Sequence, residues 1–386
     1  MKIAVALGGT DHGRSGIGVY VRSILPHLAA RAADRGDDIV VVGTRRDIEA
    51  VEAHSSAAVV LPDRWDSPAA SAALYLSGSV ADAAKAAGAD VLLLPAANRR
   101  ACLRAAVPTV AVVHDLAQLH VTKKYDALRM AYLRHVVLRA LPQSDVLVAI
   151  SGATRNDLSR SLRIPSSHVR VVPNGVDLAR FRPVDEAAEC LSEVRARHRL
   201  ERPFLLYLAR LEHPGKNHLR LLEAFSQSGL SNRYTLALAG ADWGAEGIIR
   251  DKVRELDLGS SVARLGFVPD DDVAPLIGAS AAVLMVGLCE GFGLPALEAL
   301  AMGVPVVASN TGALPEVAGP LAAYCDPHDV SSISRALQSA STNADVRRRA
   351  ADEGPKWAST RGWSETARGL HDACMVACCK DQARAA

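Results

Sequence analysis

The chain has 386 residues, 49% hydrophobic and 22% charged, with a formal net charge of +2. That length suits two domains of ordinary size, that composition excludes a disordered chain, and that charge balance argues against a nucleic-acid partner. Seven scattered cysteines (Cys102, Cys190, Cys289, Cys325, Cys374, Cys378 and Cys379) read as reduced thiols of a cytosolic protein, although Cys374 and Cys378 stand one helical turn apart.

The opening residues MKIAVALGG are too short and too weakly basic for a signal peptide and read as a first buried strand. Further strands are expected at Asp38–Gly43, Asp90–Leu94, Thr109–His114, Asp145–Ile150 and Val169–Val172, several of them unbroken apolar runs as in parallel strands buried on both faces. Between the first two, Ile17, Val21, Ile24, Leu25 and Leu28 form one stripe at helical spacing. From Arg99 to Arg180, thirteen Lys or Arg stand against five Asp or Glu. Within that stretch, Lys123–Arg139 places Arg129, Arg134 and Arg139 beside Leu128, Leu133, Val136 and Val137. Such a segment is either a basic amphipathic helix lying on anionic lipid or an ordinary helix packing its apolar face on the sheet.

Pro173-Asn174-Gly175 breaks the pattern, and a charged helix is expected over Glu186–Arg199. A second series of strands follows at Phe204–Ala209, Tyr234–Ala239, Val262–Val268, Ala281–Val286, Pro305–Ala308 and Ala322–Tyr324, alternating with helical patterns such as His218–Ser226 and Glu246–Leu256. Two such series imply two doubly wound α/β domains, expected at 1–180 and 181–363, with a last helix near 364–386 crossing back to the first. No window offers the ~20 apolar residues of a membrane span. The chain is expected to be cytoplasmic, or peripheral at the inner face of the plasma membrane.

Four segments carry the chemistry. In Glu290–Glu298, EGFGLPALE, a buried strand feeds a glycine-rich turn, and Pro295 stands where a helix should start. Gly291 and Gly293 let backbone approach a ligand, and the amides that open the helix attract anions. In Tyr207–Asn217, YLARLEHPGKN, Arg210 follows a strand's carboxyl end and Lys216 precedes a helix, a fork and a point charge suited to a diphosphate, or else two surface cations. The turn GGTDHGRSGIGVY opens the first helix at Gly16 and Gly18, without the spacing of a dinucleotide fingerprint or a P-loop. His114 ends the strand TVAVVHD, as a site residue or as a satisfied structural histidine.

Taken in order, SGIGVY (Ser15–Tyr20), VVHD (Val112–Asp115), VVPNGVD (Val171–Asp177), YLARLEHPGKN, LGFVPDDD (Leu265–Asp272), EGFGLPALEALAMGVPVVAS (Glu290–Ser309) and PEVAG (Pro315–Gly319) resemble glycosyltransferase family four. The resemblance implies the GT-B fold, with two Rossmann-like domains facing a central cleft, and a retaining, nucleotide-sugar-dependent hexosyltransferase. It implies that Glu298 binds the donor's ribose hydroxyls and that Glu290 faces the transferred sugar. Gly291, Phe292, Gly293 and Leu294 would offer backbone amides there. Arg210 and Lys216 would hold the diphosphate, Gly16 would meet the phosphates from the other domain, and His114 would lie near donor sugar and acceptor. No cofactor and no metal are expected, because two cations do a metal's work and the segments facing the cleft carry no Asp-x-Asp motif.

The SGIGVY and VVHDL segments look most like bacterial enzymes that add mannose or related sugars to O-antigen or exopolysaccharide. The expected donor is therefore GDP-mannose, with UDP-sugars as the alternative, and the acceptor a saccharide or lipid-linked saccharide. A GT-B sugar-nucleotide epimerase or hydrolase would need acidic catalytic residues that are not found in register. A degenerate non-catalytic relative should have lost Glu290, Arg210 or Lys216, and all three are present.

Overall fold

The computed structural model describes residues 1–13, 15–51, 57–121, 126–185 and 188–385. They form two compact units, one from residues 1–119, 126–175 and 363–385 and the other from residues 120–121 and 176–362.

The first unit is built on a parallel sheet of β1 (Lys2–Ala6), β2 (Asp38–Thr44), β3 (Ala57–Leu61), β4 (Val91–Leu94), β5 (Thr109–Val113), β6 (Val146–Ala149) and β7 (Val169–Val171). Their spatial order is β3-β2-β1-β4-β5-β6-β7. β1, β4, β5 and β6 are apolar along nearly their whole length because helices cover both faces. β3 was not expected. It is an edge strand: its run AAVVL is apolar like those of its buried neighbours, but Ala57, Ala58 and Val60 are exposed.

In the second unit β8 (Phe204–Leu208), β9 (Thr235–Ala239), β10 (Val262–Gly266), β11 (Ala282–Met285), β12 (Val306–Ser309) and β13 (Ala322–Cys325) form a parallel sheet in the order β10-β9-β8-β11-β12-β13. Its core gathers Leu205, Tyr207, Leu222, Phe225, Leu236, Leu284 and Val307. In each sheet the strand order reverses once, between β1 and β4 and between β8 and β11. Ligands of open parallel sheets bind outside the carboxyl ends of the strands at such a reversal, so the fold itself marks the loops that leave these four strands.

The expected boundary at 180/181 falls inside the second unit. The Val176 N–H donates to the Arg361 carbonyl (2.8 Å) and Val176 bridges to Gly362, which ties 176–180 to the end of that unit. The helix expected from Glu186 runs over Glu189–Arg197, and Glu186 itself lies outside the described residues. The last helix, Trp363–Ala385, packs on the first unit. Thr366 Oγ1 donates to the Pro173 carbonyl (2.7 Å), and the His371 Nε2 bonds to Asp37 (2.6 Å).

The basic stretch is helical over Ala127–Tyr132, widens to a π-helical turn over Leu133–Val137 and continues through Leu138–Ala140, while Lys123 and Lys124 lie outside the described residues. Leu133, Val137 and Leu138 are buried in the first core, so the apolar face that the sequence offered to lipid is mostly spent on the sheet, and Leu128 alone of these is left 84% exposed. Among the described residues no helix is long and apolar enough to cross a membrane.

Candidate functional site

In the second unit the expected residues gather where β8 and β11 end. Arg210 lies two residues beyond β8 and bonds through Nε and Nη2 to the buried Glu212 carboxylate, both at 2.6 Å. Its guanidinium carbon also lies 4.4 Å from the centre of the Trp243 ring. Lys216 follows in the same loop, and its ammonium donates to both carboxylate oxygens of Glu290, at 2.8 and 3.0 Å.

Main-chain and buried polar bonds fix these loops. Tyr207 Oη donates to the Lys216 carbonyl (2.6 Å), and Asn217 Nδ2 donates to the carbonyls of Val286 (3.0 Å) and Pro327 (2.7 Å). The Leu288 N–H donates to the Gly215 carbonyl (2.9 Å), which joins the loop after β8 to the loop after β11. Ser309, at the end of β12, donates to the Gly287 carbonyl (2.7 Å).

Gly291, Phe292, Gly293 and Leu294 lead from Glu290 into the helix Leu294–Ala301. Gly293 is its N-cap, at φ +95°, and a Cβ there would lie 2.5 Å from the Leu314 side chain. No side chain caps this terminus, and Pro295 sits in its first turn, so its opening amides point outward with their partial positive charge. Phe292 is buried and anchors the turn.

Glu298 is half-buried on the same helix, and among the described residues no hydrogen bond or ion pair reaches its carboxyl. Burial pushes that carboxyl up to about 7, against the pull of the Arg180 guanidinium and helped by the Asp270 charge. With an ordinary value of 4.5, the folded form binds more protons than the unfolded one between 4.5 and about 7. The contribution of Glu298 to stability is thus complete below 4.5 and is lost as the pH rises through about 7. The Glu298→Gln variant should therefore gain roughly 1–3 kcal/mol on the wild type between about pH 5 and about pH 8. Parallel melting profiles of the two proteins across that range would contradict this.

In the first unit, Gly16 opens the helix Gly16–Asp34, capped by the Ser15 hydroxyl. Two glycines here have different reasons to exist. A Cβ at Gly18 would lie 2.5 Å from the Gly13 backbone, so packing excludes it, whereas a Cβ at the exposed Gly16 would meet nothing within 4 Å. The fold does not require glycine at 16. His114 is 6% exposed and donates from Nε2 to the Pro95 carbonyl (2.7 Å), with the Tyr20 ring edge-on at 4.7 Å. Burial holds its pKa down to about 4, so the ring is neutral and Nδ1 is an acceptor.

Sequence reasoning passed over Glu212, Trp243 and Gly312. Glu212 sits two residues beyond Arg210 in a loop already singled out, so its spacing was a usable signal. Trp243 and Gly312 come from other strands' loops, and nothing in the linear sequence joins them to Arg210 or Glu290.

Two family models match the chain: Glycosyltransferase Family 4 over residues 14–180 and Glycosyl transferases group 1 over residues 192–357. The chain belongs to glycosyltransferase family four. It is 29% identical over 227 residues to the O-antigen chain mannosyltransferase B of Escherichia coli, covering 58% of this chain and 59% of that one. It is 32% identical over 267 residues to the serotype-specific mannosyltransferase WbdA of Escherichia coli, 67% of this chain and 32% of that one. The chain thus spans 59% and 32% of these relatives' own lengths, less than two thirds of either. The solved structure of Anabaena HepE in complex with UDP-glucose superposes with a TM-score of 0.76 at 18% identity, covering 96% of this chain and 98% of that one. The fold of this family four member is GT-B.

Proposed function

We propose that this chain transfers a hexosyl group from a nucleoside diphosphate sugar to an acceptor hydroxyl, with retention, and that the donor is GDP-mannose. One observation carries the reading. Arg210, Lys216 and an uncapped, glycine-led helix terminus lie on joined loops at the strand-order reversal of the second sheet. This is a place for a diphosphate.

The acceptor oxygen bonds to the anomeric carbon as the bond from that carbon to phosphate oxygen breaks. The acceptor's proton goes to a leaving phosphate oxygen, and the products are a glycoside and a nucleoside diphosphate. Arg210, Lys216 and the amides of Gly291–Leu294 stabilise the negative charge that develops on the phosphate, without a metal. Glu298 takes the ribose hydroxyls and Glu290 the transferred sugar. In the first unit, taken by itself, Gly16 leaves backbone open to a phosphate and His114 offers Nδ1 to a hydroxyl.

Mannose is favoured by the relatives, which include the MMP alpha-(1->4)-mannosyltransferase of Mycolicibacterium hassiacum, 30% identical over 204 residues. A UDP-sugar is the second reading, favoured by the UDP-glucose in HepE. The acceptor in this reading is a saccharide, free or carried on a lipid. A thermal-shift titration against GDP, UDP, dTDP and ADP with no metal added tests the donor. One diphosphate should stabilise the protein by about 2.7 kcal/mol at a hundredfold excess over its dissociation constant, and GDP is the expected one. A flat response to all four would sink the reading.

A further inference from the structure

We infer that Trp243 is a positioning residue, which together with Glu212 clamps the Arg210 guanidinium in the orientation that receives the donor's terminal phosphate. The inference rests on the proposed diphosphate site.

The loop after β9 is pressed against the backbone of Arg210. A Cβ at Gly240 would lie 2.2 Å from the Ala209 carbonyl oxygen and 2.8 Å from the Arg210 Cα, so only glycine allows this approach. Main-chain bonds then lace the two loops together on both sides of Arg210. The Ala209 N–H donates to the Ala239 carbonyl, the Leu211 N–H to the Ala241 carbonyl and the Trp243 N–H to the Leu211 carbonyl, each at 2.9 Å. Beyond the tryptophan, Asp242 Oδ1 accepts the N–H groups of Gly244, Ala245 and Glu246 at 2.8, 3.0 and 3.0 Å and fixes the turn into the next helix. The position of Trp243 relative to Arg210 is therefore set by backbone.

Its indole is 47% exposed and contributes little to the core, but the guanidinium carbon lies 4.4 Å from the ring centre, within cation–π range. Glu212 meanwhile takes Nε and Nη2 in the plane of the group. Glu212 holds two nitrogens of the guanidinium and the Trp243 ring lies against its central carbon, and the two contacts together set the orientation of a long side chain that otherwise samples many rotamers. The two partners differ in charge. Glu212 cancels part of the positive potential it positions, whereas the indole orients the cation and leaves its charge for a phosphate.

The test is calorimetric titration of wild type, Trp243→Leu, Trp243→Phe and Arg210→Ala with GDP and GMP, and with UDP and UMP. Trp243→Leu should weaken the diphosphate about fivefold, leave the monophosphate as in wild type and keep the melting temperature. Trp243→Phe should restore most of the loss, and Arg210→Ala should show a diphosphate-specific loss at least as large. Wild-type diphosphate binding by Trp243→Leu, alongside a loss in Arg210→Ala, would overturn the clamp. Equal weakening of mono- and diphosphate in Trp243→Leu would also overturn it, since that marks a collapsed loop. Unchanged diphosphate binding by Arg210→Ala would instead overturn the proposed phosphate site.

Discussion

Replacing Lys216 with alanine is expected to slow release of nucleoside diphosphate from the nucleotide sugar by about 10²- to 10³-fold, the usual cost of removing one preorganised donor from a developing anion. The loop should survive, because its geometry rests on Tyr207 bonding the Lys216 carbonyl and on Asn217 bonding Val286 and Pro327, and the Lys216 side chain takes part in neither. What is lost is charge. The Lys216 ammonium now holds the Glu290 carboxylate, whose side chain is only 12% exposed, and without it that carboxylate repels the incoming phosphate as well as losing its partner. The prediction is checked by steady-state rates with GDP-mannose and UDP-glucose. A variant that turns over at the wild-type rate would remove Lys216 from the chemistry.

Gly312→Ala is expected to disrupt the Glu290 turn with a single methyl group. Gly312 has φ +61°, and a Cβ there would lie 2.5 Å from the Glu290 carbonyl oxygen and 3.0 Å from its nitrogen. Neither neighbour is a flexible side-chain end that could swing aside. The Ala313 N–H holds that same Glu290 carbonyl at 3.0 Å, and Thr311 Oγ1 donates to the Leu288 carbonyl at 3.1 Å, so the loop after β12 is a template for the Glu290 turn. Left-handed strain and backbone overlap together should cost about 2–4 kcal/mol and push Glu290 off the Lys216 ammonium. A lowered melting temperature together with a lost nucleotide response is the expected result. A variant with the wild-type melting temperature and nucleotide response would show that the turn does not depend on this contact.

Much of this was legible in the sequence. Parallel strands buried on both faces write themselves as short apolar runs, as β1, β2, β4 to β6, β8, β9, β11 and β12 do, and the less buried β7, β10 and β13 also read within a residue or two; β3, an apolar AAVVL at the exposed sheet edge, went unread. Glu290 to Glu298 stood out because glycine and proline punctuate a strand-to-helix turn. Partners across loops were not legible. Trp243 meets Arg210 because β9 lies beside β8, and Gly312 meets Glu290 because β12 lies beside β11. That adjacency is a property of strand order. His114 shows the same limit from the other side. Its place at a strand end was readable, but the Pro95 carbonyl that fixes its tautomer comes from β4's loop.

Whether Arg210 and Lys216 hold a diphosphate is decided by repeating the metal-free thermal-shift titration on the Arg210→Ala/Lys216→Ala double variant beside the wild type. The diphosphate that stabilises the wild type by about 2.7 kcal/mol at a hundredfold excess should leave the double variant unshifted. An equal shift in both proteins would place the nucleotide away from Arg210 and Lys216.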